Sequence, residues 1–71
     1  MGGYGKRGVP DIIACVNGVL VGIEVKREGR EPTPLQQKCL NDIRTKGGRV
    51  TWGTAKVVRA EIEAWRMASD Q

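Results

Sequence analysis

The chain has no histidine and no phenylalanine, and its only aromatic residues are Tyr4, Trp52 and Trp65. Without histidine there is no Ser-His or Cys-His nucleophile pair and no imidazole general base. Zinc sites that combine cysteine with histidine are excluded as well, because Cys15 and Cys39 stand alone. Both cysteines fall in apolar stretches, one in an expected strand and one in an expected helix. They read as two reduced core thiols of a cytoplasmic protein. No apolar run is long enough to span a bilayer and no signal-peptide segment is present, so no membrane partner is expected. With phenylalanine absent, the core must be built from Val, Ile, Leu and Ala.

What is present suits one small domain over residues 1–71. The chain is 39% hydrophobic and 28% charged, a globular rather than a disordered composition. Its 71 residues bury a smaller fraction of their surface than a larger domain would, so a second copy or a ligand is expected to add stability. The net charge of +4 and isoelectric point near 9.5 favour an anionic partner, most simply nucleic acid. Residues 1–8, with four glycines, Lys6 and Arg7, form a flexible basic lead-in.

Asn17-Gly18 lies between two β-rich runs, the strongest short hairpin signal. A two-residue turn sets the pairing: Val16 faces Val19, Ile13 faces Gly22, Ile12 faces Ile23 and Asp11 faces Glu24. Side chains alternate along a strand. Val19, Val21, Ile23 and Val25 therefore share one face with Ile12, Ala14 and Val16, and this apolar face is expected to be core. Leu20, Gly22, Glu24 and Lys26 share the other face with Ile13, Cys15 and Asp11. Gly22 either leaves room beside Glu24 or marks a bulge. Like charges directly opposite destabilise an antiparallel pair. Asp11 facing Glu24 calls for a compensating cation, and a bound divalent metal would supply it.

The expected strands cover about 10–16 and 19–27, with a charged loop at 28–33. A helix follows, with Thr33 as N-cap, Pro34 in the first position, Gln36 closing a capping box and Gly47-Gly48 as the stop. Its apolar stripe is Leu35, Cys39, Leu40 and Ile43. A third strand is expected at 49–53. A second helix runs over about 55–68, capped by Thr54, with Val58, Ile62 and Trp65 facing the core and Arg59–Glu63 paired at i,i+4. The order is β-β-α-β-α, an α/β fold with a central mixed sheet and flanking helices.

Two carboxylates on adjacent strands can hold Mg²⁺ or Mn²⁺, with water and substrate phosphate completing the shell. The Val25 backbone carbonyl offers another oxygen. Lys26, on the face of Glu24, can orient an attacking water and offset negative charge developing on a phosphate. Together these residues suit phosphodiester hydrolysis, with Asp11, Glu24 and Lys26 carrying it. Lys6, Arg7, Arg27, Arg30 and Lys38 are candidate phosphate contacts. Trp52 and Trp65 read as core or dimer interface.

Gly8-Val9-Pro10-Asp11, the gap to Glu24, and Glu24-Val25-Lys26 resemble the PD-(D/E)XK nuclease superfamily. Thr33-Pro34-Leu35-Gln36, Leu40 and Gly47-Gly48 extend the likeness to one branch, the virus-type replication-repair nuclease (VRR-NUC) domain. The similarity runs from about Gly5 to Val50. It implies a minimal restriction-endonuclease-like core and Mg²⁺-dependent cleavage of DNA, with no small-molecule cofactor. Asp11 and Glu24 would be metal ligands, Lys26 the catalytic lysine, and Gln36 a further site residue. It also implies a homodimer acting on branched or flapped DNA, four-way (Holliday) junctions included, in a bacterial or phage-infected cell. Family members usually carry a preceding helix with another glutamate, whereas the ten residues before Asp11 contain no acid. Two alternatives stand beside this reading: a non-catalytic DNA-binding module on the same scaffold, and a subunit active only with a partner chain.

Overall fold

The structure, a computed structural model, describes residues 8–69. The lead-in residues Lys6 and Arg7 lie outside the described residues, and Gly8, the last residue of that lead-in, is buried. Five elements follow in the expected order: β1 (Ile12–Val16), β2 (Val19–Val25), α1 (Pro34–Thr45), β3 (Arg49–Gly53) and α2 (Ala55–Ser69). They form a three-stranded mixed sheet, β1-β2-β3, with β1 antiparallel and β3 parallel to the central β2. Among the described residues no helix is long and apolar enough to cross a membrane.

The hairpin has the register read from its turn. Val16 pairs with Val19, Ile13 with Gly22 and Ile12 with Ile23. Asn17 and Gly18 both adopt positive φ, 51° and 82°, the backbone twist that matches paired strands. No bulge occurs at Gly22. The space it leaves is filled instead by α1, since a Cβ there would lie 2.9 Å from Ile43 Cδ1 and 3.7 Å from Leu40 Cδ2. Gly48 is tighter still, because a Cβ would meet the Leu20 carbonyl oxygen at 2.7 Å. Its lack of a side chain lets the start of β3 lie beside β2.

The capping box at the start of α1 is complete. The Gln36 N–H donates to Thr33 Oγ1 at 3.2 Å, and the Thr33 N–H donates to Gln36 Oε1 at 2.9 Å. Both helices flank the sheet, on opposite faces. Helix α1 covers the Gly22 face with Cys39, Leu40 and Ile43. Helix α2 covers the other face, where Val58 and Trp65 pack with Val21 and Ile23.

The structure differs from the sequence expectation in several places. The helices lie over β2 and β3, so β1 is an edge strand with both faces open. Val21 and Ile23 are buried, but Ile12 and Val16 stay about half exposed, at 49% and 52%. Val25 is also exposed, at the end of its strand, and Ile62 lies on an open rim. Leu35, in the first turn of α1, drops out of the stripe and is exposed. Glu63 pairs with Arg66 rather than Arg59, its carboxylate accepting the Arg66 Nε–H at 3.2 Å. That bond holds the Glu63 carboxyl below its usual range.

Cys15 is likewise not a core thiol, because it sits on the open face of β1, whereas Cys39, on α1, is buried. Burial pushes the Cys39 thiol up, against the weaker opposing pull of Lys38. A raised pKa and poor access both slow thiolate chemistry. In the native chain DTNB is expected to titrate one thiol rapidly, with the second reacting only in denaturant. Rapid reaction of both would place Cys39 outside the core.

Candidate functional site

Strand direction brings the candidate residues to one end of the molecule. Asp11 immediately precedes β1, which runs antiparallel to β2, so it stands beside the carboxyl end of β2. Glu24, Val25 and Lys26 are that end. Helix α1 returns between two parallel strands, so its N-terminus lies at the same end, as does the N-terminus of α2 after β3. The carboxyl ends of parallel strands are where open α/β sheets bind their ligands. Two helix N-termini there add positive potential.

Asp11 closes the hairpin by substituting side chain for ladder. Its N–H donates to Glu24 Oε1 at 3.0 Å, and its Oδ2 accepts the Val25 N–H at 3.0 Å. In an extended strand the N–H and C=O of one residue point to the same side, so the Val25 carbonyl also points towards Asp11. Asp11 is exposed, while Glu24 is 2% exposed and ranks with Leu40 among the most deeply buried side chains.

A buried carboxylate needs compensation. Here it comes from within the chain: the Lys26 ammonium stands 3.3 Å from Glu24 Oε2. The Lys26 side chain is itself mostly covered, so solvent screens this pair only weakly. From the sequence, that compensating role was expected of a metal. In the structure the lysine and the Asp11 N–H already fill it. Same-face spacing along β2 was the signal that could have revealed the ion pair.

The remaining oxygens can hold a divalent cation. Asp11 Oδ1 accepts no hydrogen bond among the described residues, and the two carboxylates and the Val25 carbonyl are hard donors suited to Mg²⁺ or Mn²⁺. Among the described residues no group of three or more acidic, cysteine or histidine side chains forms there. The donor set fits one such ion with most positions left to water and phosphate.

Beside Lys26 the segment 25–33 bounds a groove lined by Lys26, Arg27, Arg30, Glu31 and Thr33. A turn shapes it, with the Arg30 N–H donating to the Arg27 carbonyl at 3.0 Å and Gly29 at φ 82°. Arg27 and Arg30 line this groove with Lys26. Lys38 does not join them: it stands on α1, 3.6 Å from Asp42 in an exposed i,i+4 pair. The Gln36 carbonyl is taken by the cap, and no hydrogen bond ties its side chain to Asp11, Glu24 or Lys26. Trp52, expected from the sequence in the core or at a dimer interface, stands at the same end of the sheet. It pairs with Glu24 across β2 and β3 and is 37% exposed. Comparison of the chain with protein-family models, with curated proteins and with solved structures finds no match in any of the three.

Proposed function

We propose that the chain is a metal-dependent, structure-selective DNA endonuclease of the VRR-NUC type, acting on branched duplexes such as four-way junctions. The observation that carries this reading is the convergence of Asp11, Glu24 and Lys26 at the carboxyl end of β2. In this reading Asp11, Glu24 and the Val25 carbonyl hold Mg²⁺, with Mn²⁺ able to substitute. A bound Mg²⁺ supplies Lewis-acid polarisation of the phosphoryl oxygen and a more acidic water. Lys26 directs its ammonium at the same point, where it orients the attacking water and offsets negative charge growing on the phosphate. Arg27 and Arg30 track the DNA backbone along the groove. Gln36 sets the first turn of α1, and so the wall of that groove.

The same reading includes a homodimer. β1 leaves one edge of the sheet unpaired and carries no charged residue to block a second strand. Light scattering at micromolar concentration should then report twice the chain mass, and a monomer throughout would reject this part of the reading.

One observation favours a second reading, a DNA-binding module without catalysis. Both Glu24 oxygens are already engaged, one by the Asp11 N–H and one by Lys26. Incubation with four-way junction and blunt duplex, with Mg²⁺ and with chelator, separates the two. The nuclease reading expects junction products only with the cation. It expects Asp11→Ala to lower the rate by about a hundredfold or more, since even outer-shell changes at metal sites cost about 10–100-fold. Junction binding without product in Mg²⁺ or Mn²⁺ would select the binding module.

A further inference from the structure

We propose that Trp52 is a stacking platform for an unpaired DNA base beside the scissile phosphate, and that it gives the site its preference for non-duplex structure. The scissile phosphate and the preference for non-duplex structure rest on the nuclease reading. The stacking site stands on the placement of Trp52.

Residues paired across adjacent strands point to the same face. Trp52 pairs with Glu24, so its ring stands on the face that carries the Glu24–Lys26 ion pair. It lies near the carboxyl end of β3, level with the end of β2 where Asp11 joins. The buried cluster on the opposite face is Val21, Ile23 and Val58, with Trp65 as its aromatic member. Trp65 is further engaged by Arg49, whose guanidinium carbon lies 5.6 Å from the ring centroid. Trp52 belongs to no such cluster and keeps 37% of its surface open.

Lys26, which pairs with Glu24 on that face, also lines the cationic groove of residues 25–33, and an exposed tryptophan together with such a groove is the combination that binds single-stranded nucleic acid. The groove tracks the backbone while the flat ring stacks on a base. Lys26, Arg27 and Arg30 supply the first part and Trp52 the second. Bases inside a continuous duplex are already stacked and cannot reach the ring. Bases at a branch point or in a single strand can. Stacking accepts every base alike, so selectivity for structure without selectivity for sequence follows.

The test compares wild type, Trp52→Phe and Trp52→Leu in chelator, so that no cleavage intervenes. Short oligothymidylate and blunt duplex are the probes, with tryptophan emission and fluorescence anisotropy as readouts. Oligothymidylate should quench wild-type emission. Trp52→Phe, which keeps a flat ring, should lose the quench while binding within about threefold of wild type. Trp52→Leu, which keeps apolar bulk without a π face, should bind oligothymidylate about tenfold more weakly and duplex unchanged. Quenching that persists in Trp52→Phe would assign the signal to Trp65 and overturn the proposal. Equal weakening of both probes by Trp52→Leu, or weakening of neither, would overturn it too. Circular dichroism checks each fold, and Trp52→Phe alone decides if Trp52→Leu does not fold. Wild type that quenches with oligothymidylate yet never cuts DNA in Mg²⁺ loses the nuclease reading and keeps the stacking site.

Discussion

Lys26→Ala is expected to lower DNA cleavage by about a thousandfold, the upper range for removing one aimed charge-stabilising donor from a site. It is also expected to lower the stability of the chain by about 3 kcal/mol, because it leaves a buried carboxylate without its partner. Glu24 is 2% exposed, and its remaining donor is the Asp11 N–H alone. The two effects have separate causes, and two controls divide them. Lys26→Arg keeps the charge beside Glu24 and should recover most of the stability. Arginine differs in shape and hydration from the ammonium, so cleavage should stay low. Addition of Mg²⁺ should raise the melting temperature of Lys26→Ala more than that of wild type, since a cation then replaces the ammonium beside Glu24. Thermal denaturation with and without Mg²⁺ and a junction-cleavage assay provide the measurements. Wild-type cleavage by Lys26→Ala would remove the lysine from the chemistry. A melting temperature unchanged in both conditions would show that Glu24 needs no cation.

Leu40→Ala is expected to cost about 3 kcal/mol, the middle of the range for truncating a buried leucine. Leu40 is 1% exposed and presses α1 onto the sheet at Gly22. Small domains sit towards the lower end of a total stability of about 5–15 kcal/mol, so this single change unfolds a visible fraction of the chain. Leu35→Ala is the matched control. Both leucines lie on the apolar stripe by helical spacing, yet Leu35, in the first turn, is exposed. Its truncation should shift the urea midpoint by no more than about 0.5 kcal/mol equivalent. Equal losses from the two changes would mean that α1 sits on the sheet one turn earlier than described.

The contrast between these leucines shows how far local pattern reaches. Asn17-Gly18 dictates a two-residue turn, and the whole β1–β2 register follows because each pair determines the next. Thr33, Pro34 and Gln36 likewise dictate where α1 begins, since capping is settled within four residues. The side of the strand on which Glu24 and Lys26 both fall was legible for the same reason. Their ion pair was not legible in the same way, because two facing carboxylates are compensated equally well by a bound cation or by a lysine two residues along. Ile12 and Val16 were assigned to a core on the strength of alternation, and Cys15 on the strength of its apolar neighbours. Alternation says which residues share a face, but not whether a helix covers it.

The sequence by itself determined the element order, the hairpin register, the limits of α1 and the common face of the charged residues. Each of these is an interaction between residues adjacent in the chain or related by one turn. Only the tertiary structure decided that β1 is an uncovered edge, that Glu24 is sealed beside Lys26 and that Asp11 closes the ladder with its side chain. The parallel pairing of β2 with β3, which sets Trp52 opposite Glu24, was decided there too. That pairing joins residues separated by a whole helix, and its register depends on how α1 packs at Gly22 and Gly48 rather than on any turn.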